Sequence, residues 1–190
     1  MTKIIKKTPT GTYTFIDRDE RTGAVTAERD FPGIFPVYYT VTDTGCFCGY
    51  SIQDVLKSSG ITREIDPDAL GLYLTFSCLP GDHTFYKNVK KLMPGCMLAY
   101  NGKELSIKQV DSLDTKKKLT KISKTSAKTA IRLSIENSIQ KCHASAAFLS
   151  SGIDSSILSK LGNVSDTYTI DYDEAQSSEA NAAEAFSKAI

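Results

Sequence analysis

Between Ala146 and Ser156 the chain reads AAFLSSGIDSS. Four apolar residues lead into serines and a glycine, then an aspartate and two more serines, and an apolar helical pattern (Ile157, Leu158, Leu161) follows at once. This order predicts a buried strand, a tight turn and a helix start. The first backbone N–H groups of a helix have no partner within it. Hydroxyls from Ser150, Ser151, Ser155 and Ser156 would converge on the same spot, giving an anion site suited to phosphate. Asp154 would repel a bare phosphate, so it points to a bridging Mg²⁺ or to a role in fixing the loop. A Ser- and Gly-rich βα turn in which Asp and Ser simply cap the helix has the same string, and the string alone leaves both readings open.

The elements that must hold this turn follow the same logic. Upstream, Ala130, Ile131, Ile135 and Ile139 recur at helical spacing, so Ser126 to Lys141 is expected to be an amphipathic helix packing on the coming sheet. Downstream, Gly162 is expected just past the helix end, Thr167 to Tyr172 as the next parallel strand, and Ser178 with Glu179 as the start of an alanine-rich helix. Asp111 to Lys128 is polar, with lysines at 116, 117, 118, 121, 124 and 128 but no aromatic interleaving, and reads as a solvated linker rather than a nucleic-acid patch.

The first part of the chain has antiparallel hairpin grammar. Gly11 to Asp17 alternates, with Tyr13 and Phe15 on one face, and a DERTG turn leads to Ala24–Glu28. Phe35 to Val41 and Cys46 to Tyr50 are joined by a TDTG turn. Ser51 to Lys57 has helical spacing. Asp66 is a good N-cap with Pro67 at the first helical position, and Leu70, Leu72, Tyr73, Leu74 and Phe76 supply apolar faces. A Pro94-Gly95 turn and an Asn101-Gly102 hairpin, expected to be type I′, follow.

Composition sets the bounds. The chain has 190 residues, 41% hydrophobic, with Lys+Arg 23 against Asp+Glu 22. That is a globular chain of one or two domains, and its balanced charge implies no general affinity for nucleic acid or membranes. No apolar run approaches a membrane span, and the N-terminus lacks a signal-type apolar core. The five cysteines are scattered and read as reduced thiols, which fits a cytoplasmic location. Cys46 and Cys48 flank Phe47 in the expected strand, where opposite facing and small apolar character account for them. With only His83 and His143 and no CxxC pair, no zinc site is expected.

Two sets of residues carry a family resemblance. FLSSGIDSS resembles the pyrophosphate-binding PP-loop, SGG-x-DS, of the ATP pyrophosphatase superfamily, and more specifically that of asparagine synthetases. Arg29–Tyr39 (RDFPGIFPVYY), Arg63–Phe76 (REIDPDALGLYLTF) and Thr84–Leu98 (TFYKNVKKLMPGCML) resemble, in order, the second half of the glutaminase domain of glutamine-hydrolysing asparagine synthetase. The resemblance covers about residues 11 to 190. It implies an α/β chain with an α+β N-terminal part: a partial antiparallel, Ntn-hydrolase-like glutaminase domain (1–112), a linker (113–125), and the first βαβα of a doubly wound, adenine nucleotide α-hydrolase-like PP-loop domain (126–190).

The implied reaction is ATP-dependent amidation of aspartate through an aspartyl-adenylate, with ammonia or glutamine as nitrogen source and AMP and pyrophosphate released. ATP and Mg²⁺ are the expected ligands. Ser150, Ser151, Gly152, Ser155 and Ser156 are then the expected pyrophosphate contacts, Asp154 the Mg²⁺ ligand, and Leu149 and Ile170 the positions matching the adenine pocket; ordinary strand core accounts for these last two equally well.

The departures are specific. Ser151 stands where most members have the first glycine of the pair. If that position needs a positive φ, the substitution costs roughly 1 kcal/mol. Ile52 stands where the family usually has Glu after the Ser. The family's nucleophile is an N-terminal cysteine, whereas residue 2 is Thr and stands against mid-domain sequence, so no catalytic residue for glutamine hydrolysis is assigned. The chain therefore reads as a fragment, and a complementary chain or a second copy is a natural partner. A glutaminase-dead adenylating relative, of the β-lactam synthetase or lasso-peptide cyclase type, and a non-catalytic ATP-binding remnant are the other readings.

Overall fold

The computed structural model describes residues 2–113, 121–171 and 179–188. The chain divides into two compact units, residues 1–117 and 118–190. Lys116, Lys117 and Lys118 of the expected linker, and Tyr172 and Ser178, lie outside the described residues.

The first unit is built on two antiparallel sheets. β1 (Thr2–Lys7), β2 (Tyr13–Arg18), β3 (Val25–Arg29), β7 (Cys96–Tyr100) and β8 (Leu105–Gln109) form a five-stranded sheet in that spatial order. β4 (Tyr38–Thr42), β5 (Gly45–Gly49) and β6 (Lys90–Lys91) form a three-stranded one, order β5-β4-β6. Strand alternation sends Ile16, Val25, Ala27, Leu98 and Tyr100 from the first sheet and Tyr39 and Cys46 from the second into one buried cluster, closed by Val37 and Leu92 from the connections.

The helix α1 (Ile52–Ser59) packs Val55 and Leu56 with Val89, against Tyr38, Ile52, Ile61 and Tyr86. Tyr38 and Tyr39 are neighbours in β4, so they serve the helix and the opposing sheet respectively.

Local sequence explains both helices. Ser51 and Asp54 close a reciprocal capping box, Asp54 N–H to Ser51 Oγ at 3.1 Å and Ser51 N–H to Asp54 Oδ2 at 3.2 Å, and Gly60 ends α1 at φ +68°. Ile52 packs at the first helical position, so the cap is supplied two residues later, by Asp54. In α2 (Pro67–Phe76), Asp66 accepts from the Asp68 N–H at 3.0 Å. Of its apolar residues only Ala69 is buried; Leu70, Tyr73, Leu74 and Phe76 are exposed.

One strand carries no clear sequence signal, and two details differ from expectation. β1 forms despite its lysines, two of which set their ammonium groups over aromatic rings: Lys3 Nζ stands 4.4 Å from the Phe15 ring centre and Lys6 Nζ 4.5 Å from that of Tyr50. The hairpin at Asn101-Gly102 is not type I′, which requires positive φ at both residues. Only Gly102 has it, while Asn101 Oδ1 accepts from the N–H groups of Lys103 and Glu104 at 2.9 Å. Cys46 and Cys48 do not face opposite ways: two residues apart on a strand, they share a face, with Sγ atoms 3.9 Å apart.

The second unit contains α3 (Lys124–Cys142), β9 (Ala146–Phe148), α4 (Ile153–Gly162), β10 (Asp166–Tyr168) and α5 (Glu179–Ser187). β9 and β10 pair in parallel, Ala146 opposite Asp166 and Phe148 opposite Tyr168, with α4 as the crossover. The helix expected over 126–141 begins earlier, at Lys124, capped by Ser123 accepting from the Ser126 N–H at 3.0 Å. It lies chiefly against α4, whereas packing on the strands is expected, and none of its residues is buried. Gly162 is still helical, and Asn163 takes the left-handed cap at φ +46°.

The strand expected to be buried is not. Ala146 and Phe148 are exposed and Ala147 half-buried, because among the described residues this sheet has two short strands. Leu149, just past β9, is the residue that is buried.

Candidate functional site

The Ser-rich turn joins β9 to α4 and is organised by its own hydroxyls. The Ser155 hydroxyl accepts from the Ser150 N–H at 3.1 Å, lies 2.9 Å from the Ser150 hydroxyl, and donates toward the Gly152 carbonyl at 3.1 Å. The Ser150 hydroxyl accepts from the Gly152 N–H at 3.1 Å, and the Ser156 hydroxyl donates to the Gly152 carbonyl at 2.9 Å. The sequence closes the turn this way because Ser155 falls in the first turn of α4, opposite Ser150 at the strand exit. Gly152 is the N-cap and supplies no side-chain hydrogen bond, so the amino end of α4 carries no side-chain cap.

The structure thus brings Ser150, Gly152, Ser155 and Ser156 into one hydrogen-bonded loop. Ser151 and Asp154 are exposed on it, Asp154 in the first turn of α4. Neither Ser151 nor Gly152 has a positive φ; Gly152 is extended at φ −78°, ψ 148°. Serine at 151 therefore carries none of the strain that a left-handed position would impose. A Cβ on Gly152 would sit 3.2 Å from the Ser150 hydroxyl, so the absence of a side chain there gives that hydroxyl its room.

Leu149 and Ile170 are placed differently from each other. Leu149 is 2% exposed, with its N–H donating to the Tyr168 carbonyl and its carbonyl accepting from the Thr169 hydroxyl, both at 2.8 Å. Ile170 is 69% exposed. Of the pair, the Ile170 side chain is the one open to a ligand. An apolar groove of about 450 Å³ lies elsewhere, between α3 and α4, lined by Ile131, Ile135, Ile157 and Leu161 with Lys128, Arg132 and Lys160 among them.

In the first unit the family-like string RDFPG forms a buried polar clamp that sequence reasoning did not single out. Arg29 donates to the Leu92 carbonyl at 2.8 Å and the Gly33 carbonyl at 2.5 Å. Asp30 accepts from the Tyr13 N–H at 2.7 Å and the Gly33 N–H at 3.1 Å, and its carbonyl accepts from the Gly95 N–H at 3.0 Å. The signal available was a charged pair between an alternating strand and a Pro-Gly turn. Thr2, the residue nearest the family's nucleophile position in number, lies in β1 and pairs through its backbone with Arg18 of β2.

Residues 2–110 match the family model of a glutamine amidotransferase domain. Asparagine synthetase (glutamine-hydrolysing) 3 of Bacillus subtilis is 26% identical over 181 residues, which are 86% of this chain and 29% of that protein. A Methanocaldococcus jannaschii protein named as a glutamine-hydrolysing asparagine synthetase is 26% identical over 156 residues, 77% of this chain and 30% of that protein. The chain thus spans about 30% of the length of these curated relatives. The family match begins at residue 2 and ends at residue 110, so it takes in β1 and the three glutaminase-like strings of the first unit, and the Ser-rich turn lies outside it. Among the described residues no helix is long and apolar enough to cross a membrane.

Proposed function

We propose a function from one premise: this chain belongs to the glutamine amidotransferase domain family. It is the part of an asparagine-synthase-like protein that joins the glutaminase-type scaffold to the loop that binds the pyrophosphate of ATP. The observation that carries the reading is the Ser150–Ser156 loop, in which three hydroxyls and the uncapped amino end of α4 meet at the exit of a parallel strand.

In the reaction, the aspartate side-chain carboxylate attacks the α-phosphorus of ATP and pyrophosphate leaves. Ammonia then attacks the acyl carbon of the aspartyl-adenylate, and AMP leaves with asparagine formed. The residues of this chain serve the leaving-group side. The N–H groups at the start of α4 and the exposed Ser151 hydroxyl face the growing charge on the pyrophosphate, and the hydroxyls of Ser150, Ser155 and Ser156 join them by turning from their bonds within the loop toward the nucleotide. Asp154, an exposed carboxylate on the same turn, is a hard oxygen donor of the kind that holds Mg²⁺, whose charge neutralises more of the leaving group when bound. The exposed Ile170 offers apolar surface for the adenine. The residues that recognise aspartate and handle ammonia are not assigned in this chain.

Titration calorimetry with Mg·ATP tests the reading. The chain is expected to bind saturably. Gly152→Val, which pushes a side chain against the Ser150 hydroxyl, and Asp154→Ala are each expected to weaken binding at least tenfold. Unchanged affinity in both variants would remove the loop assignment. Exchange of labelled pyrophosphate into ATP, dependent on aspartate, separates an adenylating chain from one that only binds; dependence on a different carboxylate would favour a relative of the β-lactam synthetase or lasso-peptide cyclase type.

A further inference from the structure

Cys46 and Cys48 make the one thiol–thiol contact among the described residues, with Sγ atoms 3.9 Å apart on one face of β5. Their spacing is far from the roughly 2 Å of a disulfide, and both are free. Cys46 belongs to the cluster between the two sheets, and Cys48 packs against it.

Cys46 is buried, whereas Cys48 is only half-buried. β5 is an edge strand of the three-stranded sheet, and a cleft of about 250 Å³, bordered by Arg18, Thr44, Gly45 and Phe47, opens onto Cys46. Arg18 donates to the Cys46 carbonyl at 3.5 Å and lies over the Phe47 ring at 5.5 Å, which fixes a positive charge beside the thiols. The hydrogen bond shared with Cys48, and then the Arg18 charge, hold the Cys46 thiol below its ordinary range against the opposing effect of burial. The same hydrogen bond, together with burial, pushes the Cys48 thiol up. Cys46, which lines the cleft beside the Arg18 guanidinium, is placed to react first, with Cys48 the partner that follows.

We propose that Cys46 and Cys48 form a vicinal dithiol site that captures a trivalent arsenical, a soft centre with two exchangeable positions. Two sulfurs bound to one centre by bonds of about 2.3 Å stand roughly 3.5 to 3.8 Å apart at bond angles of about 100 to 110°, so the observed pair closes on it with small side-chain rotations. In the step, two As–S bonds form and two As–O bonds of R–As(OH)₂ break. The two thiol protons leave with the two hydroxyls as two waters, and arsenic stays trivalent, so no oxidant or reductant is needed. A tetrahedral zinc cage is a different site: among the described residues no group of three or more His, Cys, Asp or Glu gathers to hold a metal.

The test is phenylarsine oxide added to the reduced full chain, read by intact mass. One phenylarsenic unit per chain is expected, resistant to excess 2-mercaptoethanol and removed by 2,3-dimercaptopropanol, since only a two-point attachment outcompetes a monothiol. The adduct should fall at least tenfold in Cys46→Ala and in Cys48→Ala, and persist in Cys142→Ala. An adduct stripped by the monothiol, no adduct, or one retained in Cys46→Ala would overturn the site. Should the alanine variants fail to fold, mapping on the unsubstituted chain decides the question. After unfolding in urea with the adduct in place, Cys46 and Cys48 must be the two residues protected from iodoacetamide, and protection at any other pair refutes the proposal.

Discussion

The two units of the chain use the same materials, short strands and capped helices, and hold themselves together differently. In residues 1–117 two sheets face each other and a helix covers one of them, so Val25, Ala27, Val37, Leu92 and Leu98 all lie at 2% exposure or less. In residues 118–190 only Leu149, Ser159 and Ala183 are buried among the described residues, while Ile131, Leu133, Phe148 and Ile153 are more than half exposed. The first unit is stabilised by apolar area removed from water. The second is organised locally, by helix caps and the Ser150–Ser155–Gly152 hydrogen bonds, which are individually worth about 1 kcal/mol. Where burial is thin, a ligand that binds the ordered loop has most to add.

The sharpest way to break this contrast is truncation of apolar side chains in both units. Leu98→Ala, at a fully buried position, is expected to cost about 3 kcal/mol in urea unfolding. Ile131→Ala, 61% exposed, should stay within about 0.5 kcal/mol. Equal losses would mean that the second unit has a covered core after all.

A backbone test comes next in size. Gly95 has φ +71° and a Cβ there would lie 2.1 Å from the Asp111 carbonyl oxygen, at the point where the N–H groups of Val110 and Asp111 both reach the Gly95 carbonyl. Gly95→Ala should destabilise the first unit by about 2 kcal/mol or more, with a fall in its thermal midpoint and Mg·ATP affinity unchanged. Helix caps should cost about the same in either unit, because their energy is local. Ser51→Ala and Ser123→Ala are each expected to lose about 1 kcal/mol, read as helicity by circular dichroism.

The smallest effect is acidification. Lys90, by its hydrogen bond, holds the Asp82 carboxyl below the usual carboxylate range. Its contribution is therefore present above about pH 4 and is lost as pH falls through the lowered value. Both partners are more than a third exposed, so the loss should be a few tenths of a kcal/mol and should shrink in salt.

Much of the first unit was legible because its signals are short-range. Ser51, Asp66-Pro67 and the alternation of Tyr13–Arg18 and Val25–Arg29 each declare an element within a few residues. What was not legible is long-range or disguised. β1 hides behind its lysines, whose ammonium groups meet the Phe15 and Tyr50 rings only once β2 and β5 are in place. The pairings of β3 with β7 and of β4 with β6 join residues about 50 to 75 positions apart, with no local mark in either partner. In the candidate site, the serines and the glycine were visible as types, and the strand–turn–helix order could be read directly. That Ser155 closes back on Ser150, and that Leu149 turns inward while Ile170 stays exposed, depends on where α4 begins and on how two short strands align.

The central claim is that the Ser150–Ser156 loop is a nucleotide site in a unit that its own burial stabilises only weakly. Hydrogen exchange of the full chain with and without saturating Mg·ATP tests it most directly. The account predicts slow exchange in the strands of residues 13–100 that nucleotide leaves unchanged, and new protection over residues 149–162 when Mg·ATP is added. Protection unchanged over 149–162 at saturation, or gained only in the first unit, would contradict it.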